Sequence, residues 1–417
     1  MKRALLENWA LFAAMMMLMV ANGLLATLLT IRGAGLGFSD LTISLMQGAY
    51  PLGALIGTIV APRLIEKVGH IRAFSALASL VSIAAIIHLL TGDPFSWSAM
   101  RFLGGFCYPG LYVITESWLN AKSDNKIRGQ VLSVYLVIQL AGPAVGTAMV
   151  GLPDPSGNLL FALVSILISL SIVPLLLSNI RAPEYEAPER MPVPKLMKVS
   201  PMAVIGIVLM SFAVAAWYIS LPLYALRQGF TNAQAGGALV VALIAGAVLQ
   251  YPMGWLSDRM DRRLVVIGLA LAGIAGAVWL AVDMRPIVVT WGFALVAAAT
   301  LPAYGILVAH ANDQLKSAQI VPASGTMVFL LNLGLLGGTL IGPNMISLLD
   351  GRGLQVLLAV TCGAVVLWGV TRRIQEDAPE DTVDMQAMGV IGAAHGGVMQ
   401  AEAWAEAAEE AEEQAAD

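Results

Sequence analysis

Apolar residues run through this chain in long, nearly unbroken stretches rather than in alternating patterns. Twelve stretches stand out, at roughly 8–31, 42–61, 73–90, 96–118, 130–152, 157–178, 201–222, 233–255, 264–283, 286–309, 321–343 and 353–371. A helix needs about 20 apolar residues to cross a bilayer, and these stretches match that length. They are too long and too evenly apolar for barrel strands, which alternate apolar and polar positions over about ten residues. The pattern predicts an all-α membrane protein with twelve transmembrane helices, since a helix satisfies its own backbone hydrogen bonds in lipid.

Two polar punctuation marks between the stretches repeat at a fixed offset. Gly37-Phe38-Ser39-Asp40 returns 192 positions later as Gly229-Phe230-Thr231-Asn232, and Glu66-Lys67-Val68-Gly69 aligns with Asp258-Arg259-Met260-Asp261. An offset near half the chain implies two pseudo-symmetric six-helix halves built to one plan. Residues 179–200 hold Pro183, Pro188, Pro192 and Pro194 among charged residues and read as a linker. The expected organisation is therefore a first half (1–178), the linker (179–200), a second half (201–371) and an acidic Ala/Glu-rich tail (372–417). Ser39 and Thr231 are suited to cap the helices that follow them.

Composition adds a boundary. The chain is 58% hydrophobic and only 12% charged, against about 25% charged residues in a soluble domain. Its basic residues are not scattered. With Lys2 and Arg3 on the cytoplasmic side, 18 of the 23 Lys and Arg fall on that side, four on the other, and Arg101 lies within a stretch. This is the positive-inside bias, and it predicts cytoplasmic N- and C-termini. Met1-Lys2-Arg3 opens an uncleaved first helix rather than a removable signal. Cys107 and Cys362 both lie in apolar stretches and form neither a disulfide framework nor a metal site. No basic patch with interleaved aromatics points to nucleic acid, and no nucleophile–base pair or metal-ligand cluster points to an enzyme.

The loop after the eighth stretch, Gly254-Trp255-Leu256-Ser257-Asp258-Arg259-Met260-Asp261-Arg262-Arg263, resembles the G-x-L-x-D-R-x-G-R-R signature of the major facilitator superfamily, with Asp261 in place of the usual Gly. In its first-half counterpart Pro62 takes the place of the first Gly and Glu66 that of Asp, and only Lys67, Gly69 and Arg72 keep the character. Arg101-Phe102-Leu103-Gly104-Gly105 resembles the R-x-x-Q-G element of the same superfamily. Glu116-Ser117-Trp118-Leu119-Asn120 is similar to the mostly uncharacterised YcaD-like branch. Gly142-Pro143-Ala144-Val145-Gly146 looks like part of the motif associated with antiporters, although small residues at that spacing also serve close helix packing. The resemblance implies two six-helix halves in the major facilitator fold, alternating access, no cofactor, and a gating role for Glu66, Lys67, Gly69, Arg72, Gly254, Asp258, Arg259, Arg262 and Arg263.

Candidate chemistry centres on the fourth stretch. An arginine at mid-membrane costs about 3 kcal/mol on insertion scales and so tends to face a cavity; snorkelling of Arg101 to the interface is the alternative. At 100° per residue, Gly105, Tyr108, Tyr112 and Thr115 lie within about 40° of Arg101, with Glu116 about 60° away. Arg101 and Glu116 are candidate coupling residues, and Glu116 is the one carboxylate well inside a stretch, with Asp40, Asp93 and Asp283 at outer edges. Arg101, Asn22, Tyr108, Tyr112, Gln139, Asn332, Trp217, Tyr218 and Tyr304 are candidate substrate contacts; Gln139 and Asn332 fit a symmetric pair between the halves. The leading expectation is a monomeric inner-membrane transporter exporting a small, partly apolar molecule against a proton gradient. Uptake of a small organic anion anchored by Arg101 is the alternative, and a non-transporting membrane sensor the third.

Overall fold

The computed structural model describes residues 2–122, 125–153, 158–177, 190–283 and 285–372, and all regular structure among them is helical. The first half comprises α1 (Lys2–Gly35), α2 (Asp40–Val68), α3 (His70–Leu90), α4 (Pro94–Lys122), α5 (Asn125–Ala148, prolonged by a 3-10 turn at Met149–Gly151) and α6 (Leu159–Leu177). A short α7 (Val193–Val199) leads to α8 (Pro201–Arg227), α9 (Asn232–Ser257), α10 (Arg262–Val282), α11 (Pro286–Thr300), α12 (Ala303–Asn312), α13 (Ser317–Met345) and α14 (Gly353–Arg372). The tail from 373 onward and linker residues 178–189 lie outside the described residues.

Among the described residues, eleven helical stretches, with α11 and α12 taken as one, are long and apolar enough to cross a membrane. The helix α4 has the length, at 29 residues, but Arg101, Glu116 and its tyrosines and glycines dilute its hydropathy. The expected span at 286–309 is interrupted. The helix α11 stops at Thr300 and α12 resumes at Ala303, because Pro302 supplies no amide hydrogen to continue the ladder. Part of the expected linker is ordered, since 193–199 fold as α7.

The repeat holds at the level of single hydrogen bonds. Gly37 and Gly229 both adopt positive φ, at 80° and 84°, which a residue without Cβ does without strain. The Phe38 amide donates to the Gly33 carbonyl at 2.9 Å, and Phe230 donates to Ala225 at 3.1 Å, the same bond 192 residues on. Ser39 accepts from the Thr42 amide and Thr231 from that of Gln234. Helices α2, α3, α4 and α5 begin at Asp40, His70, Pro94 and Asn125; α9, α10, α11 and α13 begin 192 residues later at Asn232, Arg262, Pro286 and Ser317.

Glycines set how closely the helices cross. A Cβ on Gly105 would strike the Tyr50 backbone, one on Gly53 or Gly57 the backbone of α4, and one on Gly146 the Val20 backbone. In the second half Gly334, Gly338 and Gly342 bring α13 against α8 in the same way. Packing is thus sufficient reason for the Gly142–Gly146 and Gly338–Gly342 patterns. Between the halves the main seam is α2 on α13, with α5 on α9 and α1 on α8 as smaller contacts. On the face away from the linker the seam is pinned by Arg227 to Asp40 at 2.5 Å and by the Asn344 amide donating to the Ser44 hydroxyl at 2.9 Å. On the linker face Arg190 donates to the Thr58 carbonyl of α2. The adjoining Met191 is tied to α13 through Pro322 and Thr326.

Candidate functional site

The close crossing at Gly105 brings α4 onto α2 with Arg101 above Tyr50. The guanidinium carbon sits 4.5 Å from the Tyr50 ring centroid, a cation–π arrangement. Arg101 is only 5% exposed. Its buried Nε has no hydrogen-bond acceptor, and no carboxylate among the described residues forms an ion pair with it. A buried guanidinium with aromatic contact alone is an unbalanced charge, costing several kcal/mol that a bound anion would offset.

Around it stand the rings that the sequence singles out. Tyr108 lies 6.0 Å from Tyr50 and 5.8 Å from Tyr112, centroid to centroid. The Asn22 amide donates to the Tyr50 hydroxyl at 3.3 Å, and Tyr108 donates to the Leu18 carbonyl at 3.1 Å. From the second half, Tyr218 reaches this cluster near Thr27, Thr147 and the Arg101 charge. Tyr50, Asn22 and Tyr218 remain half-exposed, so they form the open wall of the group. Gly105, on the same stripe of α4, is not part of that wall, because it is consumed by the crossing with α2.

Glu116 lies fifteen residues along α4 from Arg101, buried at 1% exposure. Tyr135 of α5 donates to its Oε1 at 2.5 Å, and the Gln139 amide donates to the Tyr135 hydroxyl at 2.8 Å. Tyr304 of α12 is within electrostatic reach of Glu116. Sequence reasoning passed over Tyr135. The signal available was its i,i+4 spacing from Gln139, which puts both on one face of α5. Tyr50 enters the group because α2 crosses α4 at Gly105, and nothing in the sequence says which helix will cross there.

Other candidates separate from this group. Gln139 and Asn332 are not joined: Asn332 donates to the Val328 carbonyl of its own helix. Trp217 is fully buried, its indole donating to Thr300 of α11 at 3.0 Å. It belongs to the interior of the second half, since on a helix it points about 100° from its neighbour Tyr218. A hollow of about 270 Å³ between α9, α10 and α11 is lined by apolar and small residues such as Leu249, Met253, Leu269 and Ala298. It offers no polar group for recognition.

The signature loop is knit within the second half. Arg262 bonds Asp258 at 2.8 Å, Asp313 at the end of α12 at 2.7 Å, and Ser257 at 3.1 Å. Arg259 stacks over Trp255 at 4.0 Å. Asp261, where the signature has Gly, accepts from the Arg263 amide and caps α10. Gly254 sits in the last turn of α9, its carbonyl accepting from the Asp258 amide. In the first half, Gly69 turns the chain at φ 82°, and Glu66, Lys67 and Arg72 are exposed with no ion pair among the described residues. No cluster of three or more His, Cys, Asp or Glu suited to a metal occurs among the described residues.

A family model described as Major Facilitator Superfamily matches residues 10–343. An uncharacterised MFS-type transporter of Yersinia pseudotuberculosis is 27% identical over 327 residues, covering 78% of this chain and 83% of its own length. The uncharacterised MFS-type transporter YcaD of Salmonella newport is 27% identical over 362 residues, covering 85% and 92%. Among solved structures, the nucleoside transporter NupG superposes with a TM-score of 0.72 at 12% identity, over 89% of this chain and 100% of that one. The Escherichia coli fucose:proton symporter FucP does so with a TM-score of 0.54 at 14% identity, over 88% and 99%. At these identities the structural neighbours speak for the fold.

Proposed function

The chain belongs to the Major Facilitator Superfamily, and from that premise we propose that it is a secondary transporter carrying a small organic anion by alternating access, with Arg101 as the anchor. The carrying observation is the buried guanidinium that lies on the Tyr50 ring, keeps its Nε without an acceptor and pairs with no carboxylate among the described residues. An uncharged amphipathic cargo would leave that charge unbalanced, whereas an anion offsets it. The glycine pattern that leaned toward export is accounted for by helix packing, so the direction of transport rests on assay. The strong Lys and Arg bias supports an inner-membrane protein with the linker face toward the cytoplasm. On that orientation, the contacts pinning Asp40 to Arg227 and Ser44 to Asn344 close the outer side.

Glu116 is the proposed proton site, held by Tyr135, whose hydroxyl in turn accepts from Gln139. Moving one charge through 100 mV supplies about 2.3 kcal/mol, or roughly a fifty-fold gradient. The test is uptake of radiolabelled organic anions by proteoliposomes under imposed pH gradients. Flux that disappears in Arg101→Ala, and loses its response to pH in Glu116→Gln, is the expected result. Full flux in Arg101→Ala removes the anchor, and an unchanged pH response in Glu116→Gln removes that carboxylate from coupling.

A further inference from the structure

We infer that the anion is a monocarboxylate carried on a flat aromatic body. This deepens the reading above and rests on Arg101 being the anchor. Three features of the cluster lead there.

The first is charge. Arg101 is the single basic side chain well inside a span; the others in the described helices stand at helix ends. One guanidinium balances one negative charge, and a dicarboxylate or phosphate dianion would bring a second charge into the same dry site without a partner. The second is geometry. The guanidinium face is already laid on Tyr50, so what remains is its planar edge, including the unpaired Nε. That edge pairs with the two oxygens of a carboxylate in a fork.

The third concerns the surrounding side chains, which are mostly rings whose polar atoms bond one another or the backbone. Asn22 donates to Tyr50, Tyr50 is hydrogen-bonded with Tyr112, Tyr108 donates to Leu18, and Tyr218 lies against Thr147 and Thr27. Tyr108 and Tyr112 are buried, so the open side of the group is formed by the partly exposed rings of Tyr50 and Tyr218. A polyhydroxylated substrate would find few partners and leave its own hydroxyls unsatisfied. An aromatic body would stack on ring faces, its favoured contact.

The test is isothermal titration of the purified full-length protein with 2-naphthoate, its uncharged analogue 2-naphthamide, acetate, succinate and inorganic phosphate. The inference expects 2-naphthoate to bind at least about tenfold more tightly than each of the others, since both charge pairing and ring stacking contribute. Tyr50→Leu should weaken 2-naphthoate about tenfold by removing the face that holds the guanidinium. Arg101→Lys should weaken it by a similar factor, because an ammonium has no planar edge. Thermal unfolding of each variant alone shows that it is folded.

Acetate binding as tightly as 2-naphthoate, and lost in Arg101→Ala, would overturn the aromatic body while keeping the anchor. Tighter binding of succinate or phosphate would overturn the single-charge argument. Equal binding of 2-naphthamide, or 2-naphthoate binding unchanged in Arg101→Ala, would overturn both the substrate class and the anchor. No binding of 2-naphthoate would overturn the substrate class outright.

Discussion

Replacing Asp40 with Asn tests whether the outer seam is a latch between the halves. Asp40 meets Arg227 at 2.5 Å across the two halves, with side-chain exposures of 17% and 42%. Because Arg227 is well solvated, the pair is worth about 1 kcal/mol at most. That corresponds to about a fivefold shift in a two-state equilibrium, enough to raise an outer-open population of about 2% to about 10%. The neighbouring Asn344–Ser44 hydrogen bond, at 2.9 Å, is worth about 1 kcal/mol more. Asp40→Asn combined with Asn344→Ala should then shift the equilibrium about thirtyfold and bring that population to about 40%. Spin labels at the exposed Leu36 and Asn232, one on each half, report the outer separation by double electron–electron resonance. The expected result is a longer-distance component that grows from wild type through the single to the double variant, and weakens the salt dependence of the wild-type distribution. Unchanged or shorter distances in the double variant would refute the latch.

Three further outcomes follow from the packing and the loops. Asp313→Asn takes one carboxylate from the half-buried Arg262 and should lower stability by about 2 kcal/mol in thermal unfolding; Glu66→Gln, at the exposed first-half counterpart of Asp258, should stay within about 0.5 kcal/mol. Gly105→Val sets a side chain against the Tyr50 backbone and should cost about 3 kcal/mol while spoiling anion binding. Gly104→Ala, which meets open space, is the matched control and should leave both unchanged. The Asp283 carboxyl is held below its ordinary value, first by the Arg285 side chain and then by the Arg285 amide. Its contribution is therefore present above the ordinary carboxylate pKa and is lost as pH falls through the lower folded value, so the stability difference from Asp283→Asn should shrink below about pH 4.

The helices were legible because lipid leaves the chain one solution for a long apolar run, and the halves because turn chemistry repeats at a fixed offset. Gly37 and Gly229, Ser39 and Thr231 serve the same local bonds, and local bonds are what a sequence displays directly. What stayed hidden depends on which helices cross. Gly105 shares a helical face with Arg101 and looked like part of a binding stripe, yet its role is to admit Tyr50. Trp217 and Tyr218 are adjacent in sequence and diverge around the helix, one into the second half and one toward the first. The break at Pro302 was readable from proline chemistry, but the apolar run continues through it and masked the interruption. Arg262 finds Asp313 across 51 residues, a partnership that only the meeting of α10 with α12 creates.

The duplicated scaffold carries chemistry that is not duplicated. At the fixed offset of 192, Arg101 corresponds to Phe293, Tyr50 to Ala242, Glu116 to Val308, Tyr135 to Met327 and Asn22 to Val214. The second half replaces the charged and tyrosine-bearing positions with apolar ones while keeping the helix boundaries. In return it holds the complete Asp258–Arg262–Asp313 network, which the first half lacks. If the first half supplies the charged part of recognition and the second supplies the knit frame, equivalent positions must respond differently to substitution. Phe293 is fully buried and packs edge-on against Tyr224 at 5.7 Å. Phe293→Leu should therefore lower stability by about 1 kcal/mol and leave 2-naphthoate affinity within about twofold. Arg101→Lys should do the reverse, weakening the ligand without lowering the unfolding temperature. A Phe293→Leu protein that unfolds like wild type but binds tenfold more weakly would mean that the counterpart of Arg101 also serves recognition, and the division of labour would fail.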